Sequence, residues 1–351
     1  MKASNDTSTT ISLIPSLDEL LHLDADQFVA RYTDIAAVNL ACARGLPNAE
    51  ESEFPEYMTL LDTIAEAVRR ETERSRRLFK LKPAQFHHSE AVFRLYTMEH
   101  VFRVRFNIRY DPLVHKTLER GSDWRERGSD WRTPDSTEVF IHGILSGKRT
   151  GTCSSLPTFA VAVGRRLGYP LKLVLVPNHT LYRWDDGKEV FNMQHTEAGG
   201  EVQPDEYFYE WPRKWDALDY EINARTRVWL TSMTPKQEAS KFLCNRAILL
   251  RDMQRFDEAF LAIDAAERFN PINPACESIR LDILNKRLHR MESQPLPPGF
   301  PPPPLGIGGG HAGLPGGLVA IVNHVMNLHQ RHMLAGGNDD PTNTHDRNSR
   351  S

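Results

Sequence analysis

Four cysteines in 351 residues, Cys42, Cys153, Cys244 and Cys276, are too few and too widely spaced for a disulfide framework. No CxxC pair is present to hold zinc or to act as a dithiol redox motif. Long apolar runs are lacking too. Met1 to Ile14 is rich in Ser and Thr where a secretory leader would be apolar, and no stretch elsewhere is long enough to span a bilayer. Charge of one sign is also missing: 43 Lys and Arg face 46 Asp and Glu, which leaves no electrostatic footprint for nucleic acid or an anionic membrane. These absences predict a cytoplasmic protein with no nucleic-acid or membrane partner, and no metal or organic cofactor is implied.

What the chain does have is 40% hydrophobic residues and enough length for two or three structural units. Residues 1–14 read as a disordered N-terminus and 15–115 as a mainly helical region. Asp24 and Gln27 are spaced like a capping box ahead of Phe28 and Val29. The apolar run from Ile35 to Leu46 is terminated by Gly45 and Pro47. Tyr57, Leu61, Ile64 and Val68 recur at helical spacing among charged residues, and a further helix is expected to start at Ser89. Val104, Phe106, Ile108 and Tyr110 alternate with polar residues, which predicts a half-buried strand or an extended connector. Between Glu119 and Arg132 the heptad Glu-Arg-Gly-Ser-Asp-Trp-Arg occurs twice in succession and reads as a duplicated surface loop.

A core is predicted over 116–215: a helix from Ser136 to Gly147, a turn over Lys148 to Thr152, and an apolar helix from Ser154 to Leu167. Strands are expected over Leu171 to Val176, Asn178 to Trp184 and Glu189 to Met193, the last two joined at the hairpin signal Asp185-Asp186-Gly187. Residues 216–290 return to a helical pattern, and 291–351 form a Pro- and Gly-rich tail that reads as disordered; its short apolar stretch, Leu318 to Leu328, is assigned no function.

One constellation carries chemistry. Cys153 lies where a Gly-containing turn runs into an apolar helix, and the free N–H groups and dipole of a helix start favour a thiolate. His179, 26 residues later, follows a buried strand and is placed to act as its base. Asn192, a further 13 residues on, falls on the partner strand of the hairpin, where its amide could orient the imidazole. His195 is a less favoured base, and Asp185 and Asp186 fall at the solvent-facing hairpin tip. Ser154 and Ser155 read as helix caps rather than nucleophiles.

At these residues the sequence resembles the transglutaminase-like superfamily, in its bacterial branch with C-terminal tetratricopeptide-like helices, over about Ile35 to Arg287. The likeness rests on His142-Gly143 through Pro170, on Pro177-Asn178-His179, on Val190-Phe191-Asn192-Met193 and on the aromatic segment from Asp205 to Pro212. It implies an α+β fold with a transglutaminase- or papain-like core, and Cys153, His179 and Asn192 as nucleophile, base and orienter. Asn192 stands where the superfamily most often has Asp, and Gly147 where papain-like relatives carry an oxyanion-binding Gln, which leaves Lys148 as one further donor. Leu243, Ala247, Leu250, Phe256, Ala259, Ile263, Ala266 and Pro271 match the small and apolar positions of one tetratricopeptide repeat. The expected activity is hydrolysis of an amide or peptide, or acyl transfer to an amine, through a Cys153 thioester, with a peptide or protein substrate. The alternative is an inactive scaffold that binds protein partners at the C-terminal helices and the Pro-rich tail.

Overall fold

The computed structural model describes residues 14–111, 135–196 and 199–293. The duplicated heptad, the residues before Ile14 and the Pro- and Gly-rich tail lie outside the described residues. The described residues up to Ile279 make one compact unit, and a second begins at Arg280.

The first unit is α+β. Its N-terminal part is helical: α1 (Leu17–His22), α2 (Ala25–Arg31), α3 (Ile35–Ala43), α4 (Phe54–Leu81) and α5 (Glu90–Arg105). Local signals fix their starts. Ser16 and Glu19 form a reciprocal capping box at α1, the Asp24 carboxylate accepts from the Asp26 and Gln27 N–H groups at α2, and Ser89 caps α5. All of α3 is buried, and Tyr57, Leu61, Ile64 and Val68 form the buried stripe of α4. The alternation after Ser89 misleads as a strand signal. Helix α5 continues through Val104, which is 67% exposed, and only Arg109–Tyr110 is extended, as β1. Four apolar residues at period two do not outweigh the helix already propagating from the Ser89 cap.

In the central part the helix expected from Ser136 to Gly147 is broken. A single turn, α6 (Ser136–Val139), is followed by a wide turn over Ile144–Lys148, in which Gly147 has φ 108° and so cannot continue a right-handed helix. Strand β2 (Thr150–Gly151) then pairs in parallel with β1, and α7 (Ser155–Arg166) follows. Four strands make an antiparallel meander in chain order: β3 (Leu171–Val176), β4 (His179–Asp185), β5 (Val190–Thr196) and β6 (Gly199–Gln203). Asn178, with φ 63°, makes the tight turn from β3 to β4, and the Asp186 carboxylate organises the next turn by accepting from the Lys188 and Glu189 N–H groups. Strand β6, rich in Gly, carried no alternation that would mark it in the sequence.

The sheet has two differently covered faces. The register Val176↔His179, Val174↔Leu181 and Arg183↔Asn192 puts these six residues on one face, where Val174, Val176 and Leu181 pack with Phe208 and Trp211. The other face, with Leu171, Tyr182 and Trp184, meets the helices. The Tyr182 hydroxyl donates to Glu99 of α5 at 2.6 Å, and Gly164 of α7 lies so close to Leu171 that a Cβ there would come within 2.2 Å of Leu171 Cδ1.

After the sheet come α8 (Ala217–Thr226), α9 (Pro235–Asp252), α10 (Phe256–Phe269) and α11 (Pro274–Ser293). Helices α9 and α10 form a hairpin whose buried seam includes Leu243, Ala247, Leu250, Ala259, Ile263 and Ala266. This hairpin does not stand apart from the N-terminal helices: Arg246 of α9, 2% exposed, donates to the carbonyls of Cys42 and Arg44 at the end of α3. Arg165 of α7 and Glu238 of α9 add a buried ion pair.

Candidate functional site

The turn that presents Cys153 is fixed from both sides. Thr152 Oγ1 and Ser155 Oγ both donate to the Glu138 carbonyl, at 2.8 and 2.9 Å, and Ser155 Oγ accepts from the Thr152 N–H at 3.0 Å. Gly151 leaves no room for a side chain: a Cβ would lie 2.8–2.9 Å from Ile144, Leu156 and Ser155. The serines therefore do not act as caps in the expected way. Ser155 clamps the turn to α6, and Ser154, at the N-cap position of α7, makes no capping bond with its hydroxyl, which is taken up by α9 instead.

Half-buried Cys153 is met by three elements. The parallel β1–β2 pair sets Tyr110 against Gly151, and the Tyr110 hydroxyl acts on the Cys153 sulfur in favour of its charged form. From β4, the Thr180 N–H acts on the same sulfur in favour of its charged form. The register explains why that N–H is available: even-numbered residues of β4 face β5, and the β4–β5 ladder ends at Tyr182↔Met193, before Thr180 is reached. From α9 comes the Lys241 ammonium, the largest influence opposing the desolvation of Cys153. Burial outweighs these and pushes the thiol up from its ordinary value.

His179 is thus one residue from the backbone group that acts on the sulfur. Its ring is 6% exposed and meets Trp211 edge-on at 4.7 Å between centroids. Burial, with the charges of His195 and Lys241 adding to it, lowers its pKa to about 3, so the imidazole is neutral at rest. Its Nδ1 is buried without a hydrogen-bond partner.

Asn192 lies on the same face of the sheet as His179, but no hydrogen bond joins the two. Its Oδ1 accepts from Arg183 Nε at 2.8 Å and its Nδ2 donates to Asp205 Oδ1 at 2.7 Å. The strand position that recommended it also sets it opposite Arg183, which binds its amide first. Gln194, two residues on and on the same face, has a buried Oε1 with no partner. His195 points to the other face, with Nε2 3.1 Å from Glu99 Oε1 and its ring 5.4 Å from that of Tyr182. Lys148 is paired with Glu138 at 3.6 Å. The Asp186 carboxylate serves its own turn.

Two contributors were missed from sequence, Tyr110 and Lys241. Tyr110 was read only as an apolar position of a short alternation. Lys241 sat in a helix matched to repeat positions, with no signal in the sequence that its charge is buried. Among the described residues no group of three or more His, Cys, Asp or Glu could hold a metal ion, and no helix is long and apolar enough to cross a membrane. No protein-family model, characterised protein or solved structure matches the chain.

Proposed function

We propose that this chain is a cysteine-dependent amide or peptide hydrolase, or acyl transferase, of the transglutaminase-like kind, with Cys153 as the nucleophile and His179 as the proton-transfer group. The observation that carries the reading is the nearness of Cys153, beside the start of α7, to the first residues of β4: the Thr180 N–H acts on the sulfur, and His179 is the neighbouring residue. In this reaction the sulfur attacks the substrate carbonyl and the amine leaves with a proton delivered by His179. Water or a second amine then resolves the thioester. The Cys153 N–H is the donor this reading assigns to the charge developing on the carbonyl oxygen. A peptide or protein substrate, a protein partner at α9–α11 and a cytoplasmic location belong to this proposal, as does Asn192 in support of β4 through Arg183.

A second reading has its own observation. Burial holds both His179 and the Cys153 thiol in their neutral forms, as expected of an inert scaffold that kept the fold for binding. A nitrophenyl ester separates the two. The enzyme releases a burst of nitrophenolate and carries an acyl group on Cys153, found by mass; Cys153→Ser abolishes both, and His179→Ala slows the burst about a hundredfold or more. A wild-type chain whose Cys153 never carries the acyl group would sink the enzyme reading.

A further inference from the structure

Lys241 is 7% exposed, and side chains of its helix reach residues at both ends of α7. At the far end Glu238, 3% exposed, neutralises Arg165. One turn further along α9, Lys241 Nζ donates to Ser154 Oγ at 3.3 Å, and after another turn Asn245 Nδ2 donates to the same oxygen at 2.9 Å. Ser154 is the residue next to Cys153. Among the described residues no carboxylate lies within ion-pair distance of Lys241 Nζ, and a single hydroxyl at 3.3 Å uses one of its three N–H donors. A buried ammonium without a counter-ion is costly. The groups around it that titrate are the Cys153 thiol from the α7 turn, Cys244 on its own helix and His179 from β4; Tyr110 from β1 completes the ring around the sulfur.

We propose that the Lys241 ammonium is the counter-ion to the negative charge that forms on the Cys153 sulfur when the thiol gives up its proton, and eases that ionisation. This rests on the reading of Cys153 as a nucleophile and adds a residue that the Cys-His-Asn constellation does not contain. The thiol proton passes to the neutral imidazole of His179, the negative charge stays on sulfur, and Lys241, whose Nζ donates to the hydroxyl of the adjacent Ser154, opposes that charge. His179, with Nδ1 unpartnered, then gives that proton to the leaving amine. Lys241 is a positioning and electrostatic residue here, since it acts through the sulfur. The mutual influence is two-way: desolvation lowers the Lys241 pKa to about 8, and the charge of Cys153 opposes that fall.

The test is the pH profile of iodoacetamide labelling at Cys153, read by mass spectrometry on the full chain. In Lys241→Met the profile is expected to move about one pH unit higher, which is about tenfold slower labelling near neutral pH, with Lys241→Arg restoring most of the rate. An unchanged profile in Lys241→Met overturns the inference while leaving acylation of Cys153, and so the enzyme reading, intact. Failure of the enzyme reading shows differently, as an unacylated Cys153 in the ester experiment. Should Lys241→Met not fold, carbon-labelled lysine NMR on wild type and Cys153→Ser decides the matter. Titration of Lys241 at lower pH in Cys153→Ser supports the pairing; an identical titration in both chains overturns it.

Discussion

Helix α9 buries two cations within five residues of each other, and among the described residues neither has a carboxylate partner. Arg246 donates to the Cys42 carbonyl at 2.8 Å and the Arg44 carbonyl at 2.7 Å, so its planar fork closes the C-terminal end of α3. Lys241 has one hydroxyl at 3.3 Å and a thiol beyond it. The first arrangement satisfies the charge with backbone that folding has already put in place. In the second the charge is left to influence a reactive group. The difference teaches that burial of charge is not itself a sign of function; what matters is whether the partners exhaust the donors.

That contrast can be broken directly. Arg246→Met leaves two helix-end carbonyls buried and unpaired and is expected to lower stability by about 4 kcal/mol, whereas Lys241→Met removes an uncompensated buried charge and is expected to cost less than about 1 kcal/mol. Urea unfolding of the two variants measures this, and equal losses would abolish the distinction.

Acid probes the neutral side of the site. His142, 0% exposed, is held at about 4 and His179 at about 3, both below the ordinary 6.5 and chiefly by burial. The unfolded chain therefore binds more protons than the folded one from about 6.5 downward, and stability is lost as pH falls through that window toward the folded values. From about pH 6.5 to 5 the two histidines together are expected to remove about 3 kcal/mol. His179→Gln should flatten the dependence of the urea midpoint on pH; a slope equal to wild type would show that His179 is not buried neutral.

Smaller effects sharpen the region around the sulfur. Gly151→Ala forces a methyl group against Ile144, Leu156 and Ser155, with an expected loss of about 2 kcal/mol, and because it displaces the clamp it should also change labelling at Cys153. Tyr110→Phe, at a residue 6% exposed, removes the hydroxyl that acts on the Cys153 sulfur, for about 1 kcal/mol. Its labelling profile should move upward by less than that of Lys241→Met. A larger movement would make Tyr110, and not Lys241, the main support of the thiolate.

Much of the local structure was legible from sequence. Ser89, Asp24 and the Asp185-Asp186-Gly187 hairpin act within a few residues of themselves, and the apolar runs that became α3, α7 and β3 needed only periodicity and length. The site was legible in part. Cys153 at a helix start and His179 beside a buried strand are local inferences, but among the described residues no hydrogen bond joins the two, and the His179 ring packs on Trp211. The orienting role read for Asn192 needed knowledge of which amide partner lies across the strand pair, and that partner is Arg183 together with Asp205.

The sequence by itself determined the capped helices, the strand–turn–strand unit and the placing of a thiol at a helix start, because each follows from backbone sterics and hydrogen-bonding groups close in the chain. The tertiary structure alone decided what surrounds the sulfur. Tyr110 arrives through a two-residue parallel pair, Lys241 through a helix that begins more than eighty residues after Cys153, and the charge on Lys241 matters because the fold around α9 removes it from water. Desolvation and the distance between charges are properties of packing, and no spacing along the chain records them.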